Sequence, residues 1–547
     1  MLDKRVWWKE SVGYEIYIRS FFDSNNDGVG DLNGITSKLN YIKSIGVDFI
    51  WICPFYDSPM DDNGYDIRDY KKVLAEYGTI ADFKNLIEKA HELGLKVLID
   101  LVLNHTSDEN EWFIKSKNRE DGYDDFYYWK DGYTDKDGIL HEPNNWESFF
   151  GGSAWKFDME RGQYYLKLFS NKMPDVNYES KLALEKMGEV ITWWCSLGVD
   201  GFRVDAISHI GKDLSFKNGK KHKTYKKFSN QPNAHRYLRG LAQNWRKFNA
   251  VSVGELGGAP TQKDNINFTK SENSELDIVF DFDHLKQLKT NKNGVEYING
   301  KGLQKALIKK QEIIREGGWS ALFWTNHDYQ RVASLYGDEK NLSKSCSALA
   351  VLMYLLKGTP IIYNGEEIGM TNYPFKTEND FEDVNAKTLL MLAGTEEEKA
   401  STLKKLKRES RDNARTIMQW SGAINAGFSE EKPWFVVNPN YHNINVEREL
   451  LESCSVLNEY IKILKLRASD KEIFCYGDSK FLKSKKGIIQ YKRFMDGSDT
   501  EYLVIVNTSN CVQKFLYPDG DVVYSNYGEI VRGEISPYEA VVIKKGD

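Results

Sequence analysis

The chain has 547 residues, 41% of them apolar and 28% charged, and its 74 Lys+Arg against 80 Asp+Glu leave a formal net charge of -6. That balance excludes a generally basic nucleic-acid binder, and the lack of any run of about 18 apolar residues excludes a membrane span. The start, Met1 to Glu10, has no apolar stretch of the export-signal kind, and Cys53, Cys195, Cys346, Cys454, Cys475 and Cys511 form no C-x-x-C pair, so a reducing cytoplasmic setting is expected.

In chain order, eight short apolar runs end in polar residues: 14–19, 47–53, 96–103, 199–205, 250–255, 276–281, 321–326 and 360–363. Helical periods lie between many of them; Ile80, Phe83, Leu86, Ile87, Ala90 and Leu93 fall on one helix face. Strand alternating with helix predicts parallel βαβ units, and eight such units predict an α/β fold, the closed (β/α)8 TIM barrel. The barrel occupies 1–103 and 175–473. Between them, 104–174 is rich in Gly, Trp and Tyr without a long helix and reads as a small domain inserted after strand 3. A charged, helical insertion spans about 375–415. From 474 to 547 the helical period gives way to alternating runs such as 502–507 and 540–544 with Asp-Gly turns, which predicts a C-terminal antiparallel β domain.

Four polar strand ends collect acids, an arginine and two histidines: Asp100-Leu101-Val102-Leu103-Asn104-His105, Gly201-Phe202-Arg203-Val204-Asp205, Val253-Gly254-Glu255 and Asn326-His327-Asp328. In a barrel these ends converge on one face. A single carboxylate is usually a surface or paired group; three together suit glycosidic cleavage, whose cationic transition state and leaving oxygen need a nucleophile, an acid and a further negative group. Arg203, two residues before Asp205, projects from the same strand face and is expected to keep it ionised.

With these motifs the chain resembles the α-amylase superfamily (glycoside hydrolase family 13), in its oligo-1,6-glucosidase and α-glucosidase branch, over essentially its whole length. The resemblance implies that Asp205 is the nucleophile, Glu255 the general acid and then base, and Asp328 the group that steadies the distorted sugar. It implies that His105 and His327 bond glucose hydroxyls. Tyr65 would stack on the ring, and Asp66 would pair with Arg415 to grip the terminal O4. That grip closes the pocket behind one glucose and implies exo-action.

The loop Asp23-Ser24-Asn25-Asn26-Asp27-Gly28-Val29-Gly30-Asp31 has oxygen ligands at alternating positions, like the first part of an EF-hand, but Gly34 stands where the bidentate Glu would be. A plain Asx-turn is one reading. The resemblance implies the other, a structural divalent cation (Ca2+ or Mg2+) held by Asp23, Asn25, Asp27, Asp31 and the Val29 carbonyl. No organic cofactor is implied.

Several positions depart from the family pattern. Tyr329-Gln330 precede Arg331 where relatives have Gln-Pro, Ile417 replaces Pro, Asn364 replaces Gln, and Met173-Pro174-Asp175-Val176-Asn177 lies between two subfamily patterns; the first three are expected near the sugar site or its mouth. Lys217, Lys220, Lys221, Lys223, Lys226 and Lys227 follow the fourth strand, as a solvated loop or as a receptor for a phosphorylated disaccharide. In the enzymes the chain resembles, the residue after the nucleophile tends to be Val where α-1,6 bonds are favoured and Ala or Thr where α-1,4 bonds are; Ala206 there implies a lean to α-1,4, with Val narrowing the space beside a 4-linked aglycone as the physical basis and plain packing of Ala206 as the other reading. The expectation is a cytoplasmic retaining exo-α-glucosidase releasing glucose from maltose- or isomaltose-type oligosaccharides, a monomer or weak oligomer with no nucleic-acid or membrane partner. Other readings are a transglucosylase, a sucrose isomerase (the sequence lacks that group's Arg-x-Asp-Arg run), a trehalose-6-phosphate hydrolase, or a catalytically inactive binding relative, which would be expected to have lost these acids.

Overall fold

Residues 5–270, 275–290, 296–483 and 487–546 are described by the structure, a computed structural model. The eight runs become parallel strands β1 (Gly13–Ile16), β2 (Phe49–Ile52), β3 (Lys96–Val102), β4 (Gly201–Asp205), β5 (Val251–Glu255), β6 (Ile278–Phe280), β7 (Ala321–Leu322) and β8 (Thr359–Tyr363). Their order is 6-5-4-3-2-1-8-7, and a parallel bridge from Val279 to Ser320 joins the two ends into a barrel. Strand β7 is shorter than the apolar run 321–326 because the chain leaves the ladder at Phe323 and turns Asn326 to Asp328 over the barrel mouth.

The period of two explains the layers. Phe49, Trp51, Leu98, Val251, Val253, Ile278, Phe280, Ala321, Phe323, Ile361 and Tyr363 form an interior cluster, while Ile50, Ile52, Val97, Ile99, Phe202, Val204, Val279 and Ile362 belong to the outer cluster against the helices. Gly13 is required by this filling: a Cβ there would sit 2.3 Å from the Phe49 ring. On β1, β3, β4 and β5 the inward phase ends in Glu15, Asp100, Arg203 with Asp205, and Glu255, so the residues that carry charge lie at the C-terminal end.

The outer ring includes α1 (Leu32–Ile45), α2 (Ile80–Glu92), α3 (Lys181–Ser196), α4 (Pro232–Arg246), α5 (Gln262–Thr269), α6 (Gly300–Arg315) and α7 (Leu342–Tyr354). Helix α2 starts at a Thr79–Asp82 capping box and buries Phe83, Leu86, Ile87 and Ala90, four of the six positions read from its period. Between β3 and α3 the chain forms a short helix, Glu111–Lys117, and a three-stranded antiparallel sheet. After β8 come α8 (Val384–Leu392), α9 (Glu396–Glu409) and a short helix, Val446–Leu451, and then α10 (Val456–Ser469) closes the ring. The C-terminal part is a five-stranded sheet with a separate two-stranded one, and its antiparallel strands pack Val504, Val506 and Val542 into the main core. Among the described residues no helix is long and apolar enough to cross a membrane.

Candidate active site

A cavity of about 660 Å³ opens at the C-terminal ends of the strands, lined by Asp62, Tyr65, His105, Asp205, Glu255, Asp328 and Tyr329 among others. Arg203, buried on β4, organises its floor: Nη1 donates to Asp100 at 2.8 Å and Asp205 at 2.5 Å, and Nη2 donates to Glu255 at 2.8 Å. One guanidinium therefore bridges the two predicted reacting acids. Burial pushes the Asp205 carboxyl well above the usual carboxylate range; Arg203 pulls it down, and Glu255, Asp100 and Asp328 push it up again. Arg203 pairs with Asp205 as expected, and it shares its charge with Asp100 and Glu255 as well.

His105 is neutral, since burial and the nearby Lys212 charge lower its pKa to about 3. Its Nδ1 lies 3.2 Å from Asn104 Nδ2, and its buried Nε2 has no hydrogen-bond partner among the described residues although the side chain lines the cavity. A sugar hydroxyl would satisfy it.

His327 is placed differently from the expectation. It is fully buried, stacks on Tyr65 at 5.3 Å, and both nitrogens are engaged: Nδ1 with Glu15 at 2.6 Å, Nε2 with the Tyr65 hydroxyl at 2.8 Å and Asp328 at 3.3 Å. It supports Tyr65 and Asp328 from below. Asp328 is held well below the usual range: burial opposes this, and His327, Arg411 and Arg415 outweigh it.

The expected Asp66–Arg415 pair does not form. Asp66 turns inward and accepts the Asp61 and Asp62 amides at 2.8 and 3.0 Å and the Ser58 hydroxyl at 3.0 Å, with burial raising its pKa to about 7. The acid–base pair lining the cavity is Asp62 with Arg411, at 2.8 Å; Arg411 also meets Asp328 at 3.2 Å, and Arg415 meets Asp328 at 2.9 Å. Asp383, which sequence reasoning missed, completes this cluster: it pairs with Arg411 and lies 3.7 Å from Arg415 while accepting from the Ala386 amide as the N-cap of α8. His209 was missed as well. It lines the cavity with Nδ1 3.1 Å from the Phe228 carbonyl, and burial lowers its pKa to about 3. Its position four residues beyond Asp205 on the strand-end loop was the available signal.

Of the departures, Tyr329 and Gln330 line the cavity, with Tyr329 stacked on Phe282 at 5.5 Å. Ile417 is buried in the core and Asn364 accepts the Tyr17 amide at 2.8 Å, so neither lies at the mouth. None of the six clustered lysines lines the cavity; Asn145 ties their loop to the inserted domain through Asn218 and Gly219, and Lys227 pairs with Asp213 at 2.7 Å. In the 23–31 loop, Asp23 accepts the Asn25, Asn26 and Gly28 amides, Asp27 accepts that of Val29, and Asp31 N-caps α1 through the Gly34 amide. These bonds leave free lone pairs on each carboxylate, so the hard oxygen donors are compatible with a divalent cation.

The profile described as "Alpha amylase, catalytic domain" matches residues 15–477. The oligo-1,6-glucosidase of Halalkalibacterium halodurans is 40% identical, with 98% of each chain covered. The alpha-glucosidase of Pediococcus pentosaceus is 39% identical, again with 98% of each covered. The crystal structure of the Bacillus licheniformis trehalose-6-phosphate hydrolase superposes with a TM-score of 0.91 at 39% identity, covering 99% of this chain and 100% of that one.

Proposed function

The chain belongs to the α-amylase family and is a glycoside hydrolase, and on that premise we propose that it acts as a retaining exo-α-glucosidase on short α-glucosides. The observation that carries this reading is the single guanidinium of Arg203 bridging Asp205 and Glu255 in a cavity also lined by Asp62, Asp383 and Arg411. Asp205 attacks the anomeric carbon and forms a glucosyl ester while Glu255 protonates the leaving oxygen; Glu255 then takes a proton from water, which releases glucose and restores Asp205. Asp328 faces the developing positive charge, and Asp62 with Arg411 receives the terminal hydroxyls. An ionic cluster set against the terminal hydroxyls favours substrates that end at that sugar.

Retention is tested by the anomer first released from maltose or isomaltose, followed by NMR: α-glucose is expected, and β-glucose as the first product would overturn the mechanism. The bond preferred is taken to be α-1,4, with Ala206 at the aglycone side. Parallel assays with sucrose, trehalose and trehalose 6-phosphate separate hydrolysis of maltose-type substrates from the transfer and phosphate-sugar readings; Lys286 and Lys405 at the cavity wall are the positive groups the last would use. The 23–31 loop is proposed to take Ca2+ or Mg2+ through Asp23, Asn25, Asp27, Asp31 and the Val29 carbonyl. A cytoplasmic, monomeric or weakly associating enzyme fits the six unpaired cysteines.

A further inference from the structure

Below the reacting acids the barrel buries a chain of polar groups that begins at Glu15, to which the reaction assigns no task. Glu15, on β1, accepts from His327 Nδ1 at 2.6 Å; His327 Nε2 lies 2.8 Å from the Tyr65 hydroxyl, and that hydroxyl lies 3.1 Å from Asp100. Tyr65 has one proton to give. Asp100 is a carboxylate already receiving Arg203 at 2.8 Å and the Trp51 indole at 2.9 Å, so it takes the tyrosine proton, and the hydroxyl oxygen must accept from Nε2–H. Nδ1 must also carry a proton, because its partner Glu15 is an acceptor. Both ring nitrogens then donate, which makes the ring an imidazolium.

We propose that Glu15 is a positioning residue: it holds His327 as a buried imidazolium, and through that ring fixes Tyr65 and Asp328 against the sugar. The proposal rests on the glucosidase reading for what Tyr65 and Asp328 face. The groups around the imidazole are Glu15 from β1 and Tyr17 just after it, Cys53 after β2, Asp100 from β3, Arg203 from β4, Tyr363 from β8, and Tyr65, Asp328 and Arg415 from the loops above. Two arginines oppose the charge and three carboxylates favour it. The net direction agrees: burial lowers the His327 pKa, and Asp328 and Cys53 raise it well above the ordinary histidine range. Cys53 lies 3.7 Å from both Glu15 and His327, and the three offer the donor types of a zinc site. The 2.6 Å between Nδ1 and Glu15 is shorter than the roughly 3.3 Å that separates two ligands of one tetrahedral ion, and is a hydrogen bond.

The test is a pH titration of ¹⁵N-histidine-labelled protein without substrate, with the His327 signals assigned by their loss in His327→Gln. Both ring nitrogens are expected to stay protonated through the range in which an ordinary histidine loses its proton, and in Glu15→Gln, which keeps the acceptor but not the charge, deprotonation should move back toward the ordinary histidine value of about 6.5. Activity should follow: kcat/KM of Glu15→Gln within about twofold of wild type near pH 5.5, and about tenfold lower near pH 8, where His327 has lost its charge. A neutral His327 in the wild type near pH 7 would overturn the proposal, even if Glu15→Gln failed to fold. So would a deficit equal at all pH values, which mere packing would give. Inhibition by Zn2+ that disappears in Glu15→Gln, with a neutral ring, would assign the trio to a metal instead. Because the titration is read without substrate, it stands or falls separately from the glucosidase assignment.

Discussion

Asp205 is buried against Arg203 with Glu255, Asp100 and Asp328 nearby, and its carboxyl is raised above its unfolded value. For an acid raised in this way, ionisation costs folding energy once pH exceeds the unfolded pKa of about 3.9, and the cost grows until the folded pKa is passed. Asp205→Asn should therefore lower kcat by about 10⁴-fold, ~5.5 kcal/mol of barrier, by removing the nucleophile. Its melting temperature near pH 7 should equal or exceed that of wild type by about 2 °C, the difference closing toward pH ~4; a large drop at pH 7 would mean that the carboxylate is stabilising. The next residue is informative for another reason. Ala206 stands in the left-handed region, φ 45° and ψ 32°, with its amide 3.3 Å from Glu255, and a β-branched side chain there is strained by ~1–2 kcal/mol. Ala206→Val should shift the maltose-to-isomaltose ratio of kcat/KM about tenfold toward isomaltose while lowering the melting temperature. An unchanged ratio with the same thermal loss would remove Ala206 from linkage selection. Residue identity was the hardest level to read from sequence: Asp62 and Asp66 are equally plausible partners for an arginine, and what decides is the turn through Asn63 (φ 52°) and Gly64 (φ 99°), which folds Asp66 back onto the Asp61 and Asp62 amides. Motif spacing carries no record of that turn.

At the scale of elements, the 23–31 loop and the helices after β8 make separable predictions. Three acids and an asparagine converge in the loop, and Asp31 also caps α1. Chelation with EDTA should lower the melting temperature by several degrees, re-addition of Ca2+ or Mg2+ should restore it, and room-temperature activity should change little; an unchanged melting curve would leave the loop as a plain Asx-turn. Helices α8 and α9 supply Leu389, Lys405 and Leu406 to the cavity wall, and their attachment is Asp383, which both caps α8 and pairs with Arg411. Two substitutions separate these tasks. Asp383→Asn keeps a cap acceptor but loses the ion pair, and should raise KM about tenfold with a stability loss softened because Arg411 keeps Asp62 and Asp328, whereas Asp383→Ala should lose in addition about 1 kcal/mol of capping. Equal KM for wild type and Asp383→Asn would sink the coupling between this wall and the arginines. The helical character of this segment was legible from its charge pattern; its role was not, because Asp383 reaches Arg411 across an intervening helix pair whose return path no periodicity encodes.

Across the molecule, what was legible follows from chain-local rules, and what was not follows from long-range closure. The period of two in eight runs and the period of 3.6 between them are local, so barrel and outer ring could be read; the strand-end motifs came with them because inward positions alternate. The tie that holds the inserted domain to the barrel is assembled from three distant segments and left no motif. Lys212, fully buried on the loop after β4, lies 2.7 Å from Asp175, where the chain leaves that domain, and 2.8 Å from Asn104, where it enters, and also donates to the His209 carbonyl. Asn104 in turn reaches Asp175 at 3.1 Å and His105 at 3.2 Å. Removing one partner of a buried pair leaves the other charge uncompensated, so Lys212→Met should cost about 3–5 kcal/mol, whereas Lys212→Met with Asp175→Asn, which removes both charges, should recover part of that loss. The single variant should also become sensitive to proteolysis between residues 104 and 174 and lose activity with it, since His105 lies between the tie and the cavity. Thermal unfolding of Lys212→Met, of Asp175→Asn alone and of the double variant, with limited proteolysis of each, checks this. Additive losses in the double variant would mean that Lys212 and Asp175 stabilise the fold independently and that the inserted domain is held by its apolar contacts alone.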